Sequence, residues 1–167
     1  FCLVTCQLPH WQPDWGMLIG QIQTLEHIPE SIMKTQSILE LSDVQTIAAA
    51  AQAEAEKNNW AVSIAIVDAG GHLLHFQRLD GAAPISSHIA PAKAKTSALG
   101  RRESKIYEDV INGGRFSFLS APTIEGMLEG GVPIMKDGQC IGAVGVSGVK
   151  SNEDAQIAKA GIAALGL

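Results

Sequence analysis

The stretch over residues 130–148, Gly-Gly-Val-Pro-Ile-Met-Lys-Asp-Gly-Gln-Cys-Ile-Gly-Ala-Val-Gly-Val-Ser-Gly, constrains the fold of this chain more than any other. Two apolar runs, 132–135 and 140–146, flank Asp137-Gly138, a pair that accepts the left-handed dihedrals of a tight hairpin turn. The stretch predicts two antiparallel strands. In the second strand, glycines at 142, 145 and 148 give up side-chain packing. They do so either to let a bent strand lie against a helix or to admit a ligand. Both readings stand on spacing alone.

A second hairpin is expected upstream. Residues 60–67 form a β-branched run, Ala69-Gly70-Gly71 turns the chain, and residues 72–79 return as a strand. Ahead of it, Ser42 with Gln45 reads as a capping box. Val44, Ile47, Ala48, Ala51 and Ala55 then recur at helical spacing, predicting a helix over 43–57. A second helix is capped by Ser86 or Ser87, tolerates Pro91 in its first turn and stops at Gly100. A third spans 102–111 and ends at Asn112-Gly113-Gly114. Residues 116–119 read as a short strand, and a turn of helix is expected after Pro122. Ser151 with Asp154 caps a last helix carrying Ile157, Ala160, Ala164 and Leu165. Strands joined by tight turns pair antiparallel, so the order predicts an α+β fold with one five-stranded antiparallel sheet packed with helices.

Composition narrows the function classes. The 167 residues are 46% hydrophobic and 17% charged, which is a globular balance sufficient for one domain with a real core. A net charge of -5 with no Lys/Arg cluster speaks against nucleic acid as a partner. No run approaches the roughly 20 apolar residues of a membrane helix, so a soluble protein with no membrane partner is expected. Three cysteines, with Cys140 mid-strand among apolar neighbours, make no disulfide framework and favour a cytoplasmic location. Residues 1–32 show no sustained periodicity, and the chain starts with Phe. They are expected to be a non-native or upstream-encoded extension, with Met33 the natural start of a single domain over 33–167.

Few residues stand out as chemistry. His72 and His75, three apart on one strand, would point to opposite faces and cannot share an ion. His88 sits at a helix start, and no histidine pair has zinc-site spacing. Each histidine reads as an ordinary surface residue or, singly, as a haem axial ligand. Arg78 suits a carboxylate or propionate, or else a surface ion pair with Asp80. Lys93, Ser97 and Gly100 share one side of the second helix with Thr96 one step round, a polar rim or a solvated face. Ser147 lacks the second glycine of a nucleophile elbow, the glycines lack the Lys-Ser/Thr ending of a phosphate loop, and Cys140 reads as core.

The motifs Asp68-Ala-Gly-Gly-His-Leu-Leu-His-Phe-Gln-Arg-Leu-Asp-Gly-Ala82, Ala92-Lys-Ala-Lys-Thr-Ser-Ala98, Gly130-Gly-Val-Pro-Ile and Ile141-Gly-Ala-Val-Gly-Val-Ser-Gly148, with Glu153-Asp154 opening the last helix, closely resemble the GlcG/HbpS-like haem-degrading domain family. That family is related to the C-terminal domain of PduO-type proteins, and the resemblance runs in order from about Ile38 to Leu167. It implies a profilin- or PAS-like α+β domain that forms homo-oligomers, often octamers, and binds haem or iron, with links to haem breakdown and to glycolate, glycerol or diol metabolism. The motif surface that carries over comprises Asp68, Arg78, Asp80, Lys93, Thr96, Gly131, Pro133, Gly145 and Gly148. The first helix holds no histidine, so the resemblance fixes no axial ligand.

The resulting expectation is a soluble haem- or tetrapyrrole-binding protein that promotes haem breakdown or iron handling. His72 or His88 would ligate iron, and Arg78 or Lys93 would lie near the propionates. Gly142 is assigned to packing, and Gly131, Gly145 and Gly148 to a cleft shared with Lys93 and Thr96. The alternative is a non-haem module that binds an organic acid or aldehyde. An enzyme using Lys93 or Asp68 is a third reading, for which the residues supply no geometry.

Overall fold

The computed structural model describes residues 33–167, and the folded unit spans Gln36–Leu167. His10, His27 and the expected extension over 1–32 lie outside the described residues. The first helix, α1, is Leu41–Lys57, and it buries the periodic set Val44, Ile47, Ala48, Ala51 and Ala55. It starts two residues earlier than the Ser42–Gln45 spacing predicts, because Glu40 is the cap: its amide donates to Asp43 Oδ2 at 2.9 Å. Ser42 lies inside the first turn, where its carbonyl accepts the Thr46 hydroxyl.

Both expected hairpins form. Strands β1 (Ser63–Asp68) and β2 (Leu73–Arg78) make the first, β3 (Gly131–Lys136) and β4 (Gln139–Ser147) the second, and β1 pairs antiparallel with β4 to join them in the order β2-β1-β4-β3. The sheet among the described residues therefore has four strands and not five, and these residues do not show the expected five-stranded, profilin- or PAS-like arrangement. The strand expected at 116–119 is a 3-10 helix, Phe116–Ser120. Its aromatic content is used against a helix instead of a ladder: the Phe118 ring meets Tyr107 at 5.6 Å and carries the Arg115 guanidinium at 4.9 Å. Residues 122–123 form a turn without helix, with Thr123 in a left-handed conformation.

Side chains of β1 alternate between two cores, which is why its sequence reads as an unbroken apolar run. Ile64 and Ile66 face α1 and the last helix, α4 (Ser151–Ala163), joining Ile47, Ile134, Val144, Val146 and Ile157 in the larger cluster. Ala65 and Val67 face the second helix, α2 (Ser86–Gly100), in a cluster of small residues with Ala90, Ala94, Ala98 and Ala143. This smallness lets α2 lie almost on the sheet. A Cβ on Gly145 would collide with the Ala90 carbonyl and the Ala94 amide. Arg101, left-handed at φ 53°, ends α2, and the next helix, α3 (Lys105–Asn112), begins three residues later than predicted. Ser104 at its start is drawn off to the sheet, accepting from the Gly131 amide at 2.8 Å. Helix α4 is capped one residue earlier than the Ser151–Asp154 spacing predicts, by Lys150 with Glu153. No described helix is long and apolar enough to cross a membrane.

Candidate functional site

The β1–β2 turn is built around one carboxylate. Asp68 Oδ1 accepts the amides of Gly70 at 2.8 Å and His72 at 2.9 Å, and both Asp68 oxygens lie 3.1–3.2 Å from His72 Nδ1. Burial pushes the Asp68 carboxyl up, but the hydrogen bonds from His72 and Gly70 outweigh it and hold the group below its ordinary range. An ionised carboxylate can only accept, so the proton between the two sits on Nδ1. That leaves Nε2 as the nitrogen not engaged by Asp68, on a side chain that is 81% exposed. His72 precedes β2 instead of lying within it, which removes the opposite-face relation to His75. His75, in β2, is half-buried and turns its Nε2 to Gln77 Oε1 at 3.3 Å.

This turn rests on the C-terminal half of α2. Gly71 is left-handed at φ 80°, and a Cβ there would sit 2.9 Å from Lys95 Cγ and 3.5 Å from Leu99 Cγ. The turn that carries His72 thus rests on the Lys95 stem and on Leu99, and Leu73, the residue after His72, is exposed, as is Leu99. Helical spacing along α2 points to Lys93 and not to Lys95. The signal that finds Lys95 is the Gly-Gly turn, since only a residue without a side chain lets the loop sit on a lysine stem.

Lys93 itself is buried. Its Nζ donates to Asp154 Oδ2 at 2.8 Å and to the Val146 carbonyl at 3.0 Å, while Asp154 Oδ1 accepts the Val149 amide at 3.2 Å. Burial pushes the Asp154 carboxyl up, against the pull of the Lys93 charge. This pair ties α2 to β4 and to the first turn of α4 and commits two of the three Lys93 ammonium hydrogens within the protein. Thr96 is also fully buried and accepts the Gly126 amide at 3.1 Å. Gly131 faces the Lys93 carbonyl, Gly145 the Ala90 carbonyl, and Gly148 the Ala61 carbonyl and Val62. The structure therefore brings Lys93, Thr96, Gly131 and Gly145 together at a close helix–sheet contact, in which backbone of α2 fills the space that a side chain on Gly131 or Gly145 would need. Pro133 is half-buried in β3 opposite Ala143. Gly142, assigned to packing, does meet the Val67 carbonyl and Leu39.

Arg78 and His88 lie elsewhere. Arg78 pairs with Ser63 at the far end of β2, some 17 Å along the strand from Leu73. Its Nη1 is 3.5 Å from Ser87 Oγ, it makes no ion pair with Asp80, and it lines a groove of about 570 Å3 beside α1. His88, exposed in the first turn of α2, is about 10 Å of helix away from Lys95. No group of three or more His, Cys, Asp or Glu side chains among the described residues could hold a metal ion. Cys140 is buried in β4, where desolvation pushes its thiol up, as suits a core residue.

Residues 39–163 match the family described as haem degrading protein HbpS-like. Protein GlcG of Escherichia coli strain K12 is 56% identical over 115 residues, covering 69% of this chain and 85% of that protein. Among solved structures, the PduOC:haem complex superposes with a TM-score of 0.69 at 31% identity, covering 77% of this chain and 95% of that one. HbpS superposes with a TM-score of 0.73 at 31% identity, covering 81% of this chain and 96% of that one.

Proposed function

The chain belongs to the HbpS-like haem-degrading family, and from that premise we propose that it binds haem, with His72 Nε2 as the iron ligand. The observation that carries this reading is the Asp68–His72 pair, in which a carboxylate accepts the Nδ1–H hydrogen bond and leaves Nε2 to act as the ligand on an exposed side chain. A histidine whose second nitrogen is held by a carboxylate is the usual form of a metal-ligating imidazole. The surroundings fit the same group. Exposed Leu73 and Leu99 offer apolar cover for a macrocycle, and Lys95 offers a cation for a propionate. Haem held there would supply iron-centred redox chemistry, on which a role in haem breakdown or iron handling would rest. The chain's own part is to fix the imidazole, shield one face of the ring and neutralise an acid group. Support from outside the chain comes from the PduOC:haem complex, which joins the same fold to that ligand in a relative.

Two further readings belong to this proposal. The protein acts as a homo-oligomer, supported by the apolar outer edge of the sheet at β2, and it works in the cytoplasm, supported by a cysteine usage without a disulfide framework. Haemin titrated into the full chain is the decisive experiment. A saturable Soret shift is expected, lost in His72→Ala and kept in His88→Ala. A spectrum that stays that of free haemin, or a His72→Ala protein that titrates like the parent, would overturn the assignment.

A further inference from the structure

The groove of about 570 Å3 beside Arg78 opens between the C-terminal turn of α1 and the base of the β1–β2 hairpin, and Gln52, Glu56, Trp60, Arg78, Leu79 and Asp80 line it. Its volume falls within the range of small-molecule sites, about 300–1,000 Å3. The floor is apolar and fixed: Trp60 and Leu79 are half-buried and pack on the larger core. The Trp60 amide is bonded to the Ala55 carbonyl at 2.9 Å, and that of Leu79 to Val62 at 2.9 Å.

The rim is charged with both signs. Glu56 stands on the helix side, braced by Gln52 Nε2 at 2.7 Å, and Arg78 and Asp80 stand on the hairpin side. Arg78 forms no ion pair with either carboxylate, although all three line one concavity. Its long contact to Ser87 leaves the guanidinium fork free to take a planar anion by two parallel hydrogen bonds.

We propose that this groove binds an α-amino acid with an aliphatic side chain. The ligand carboxylate takes the Arg78 fork, its ammonium group lies between Asp80 and Glu56, and its side chain covers Trp60 and Leu79. A simple carboxylic acid meets two like charges on the rim, and a simple amine leaves Arg78 without a partner. A zwitterion satisfies all three groups at once and supplies the apolar surface that the floor calls for. The site stands at the far end of β2 from His72 and is independent of haem.

Calorimetric titration of the full chain with L-leucine, with isocaproate, which lacks the amine, and with isoamylamine, which lacks the carboxylate, tests the assignment. Saturable binding of L-leucine is expected, weakened roughly tenfold or more by removal of either charge from the ligand, since each charge-assisted contact is worth about that much. Arg78→Gln and Asp80→Asn, both at exposed positions, should each weaken L-leucine to a similar degree. Absence of saturable heat with millimolar L-leucine, equal binding of all three ligands, or an unchanged affinity in Arg78→Gln would each overturn it. The ligand series on the parent protein decides the question even where a variant misfolds.

Discussion

Asp68 links the backbone of a turn to the state of an exposed imidazole, and its two tasks titrate together. Because hydrogen bonds from His72 and Gly70 depress its folded pKa, the stabilisation it gives is fully present above the ordinary aspartate range and is lost as pH falls through the lowered value. The stability of the fold should therefore fall along an acid limb that lies below the usual carboxylate range. Asp68→Asn should flatten that limb and weaken haemin binding roughly 10–100-fold, the usual loss when the partner of a ligating histidine is changed. Thermal melts of parent and variant across that pH range check the limb, Soret titrations near neutral pH check the affinity, and an Asn variant with parental affinity would show that the carboxylate does not position the ring. The Asp-Ala-Gly-Gly-His run carried this information in its sequence, since an aspartate followed two residues later by glycine is an Asx-turn signal. Reading the run only as a strand-to-strand turn placed His72 in the strand and missed its partner. Lys93 could not be told from Lys95 by spacing, because the side of α2 that faces the sheet depends on packing against Gly131 and Gly145.

At the scale of elements, the buried pair between α2 and α4 should matter more than any surface ion pair. Lys93 and Asp154 are both buried, and removing one leaves the other charged or forces it to change protonation. Lys93→Met should cost about 3–5 kcal/mol, and adding Asp154→Leu should recover most of that, because a matched apolar pair no longer leaves a buried charge without a partner. Urea unfolding of the two variants measures this, and a double variant no more stable than Lys93→Met would locate the loss in packing instead of charge. Asp154 also explains an error of one residue in reading the start of α4: the sequence offers two acidic partners, and Asp154 is drawn inward by Lys93 while Glu153 caps. The hairpins at 63–78 and 131–147 were legible because glycine-rich turns separate β-branched or apolar runs. The segment at 116–120 was not, because a five-residue aromatic run has no period and its fate was decided by Tyr107 and Arg115.

For the molecule as a whole, the sheet order leaves β2 at an edge, and that edge is apolar. Leu73, Leu74 and Phe76 are 54%, 42% and 38% exposed, on a strand that pairs only with β1 among the described residues. Soluble proteins usually blunt such an edge with lysine, proline or a bulge, or cover it. Here the bulge lies on the inner side, between Ile66 and Val67 of β1, and the six residues of β2 hold one cation, Arg78, at the end. Covering by another copy of the chain is the symmetric solution, and it would bury the three side chains together with the backbone of that edge. Light scattering at micromolar concentration should accordingly give a mass of several protomers. Phe76→Lys should lower that mass towards a single chain while leaving far-ultraviolet circular dichroism unchanged, since the residue is outside both core clusters. A parent protein that scatters as a monomer would refute the assembly, and a Phe76→Lys protein with the parental mass would move the interface away from β2. Leu73 borders both this edge and the His72 turn, so assembly through β2 and haem at His72 are coupled readings. Haemin should shift the mass of Phe76→Lys back upwards if one surface serves both, and leave it unchanged if they are separate.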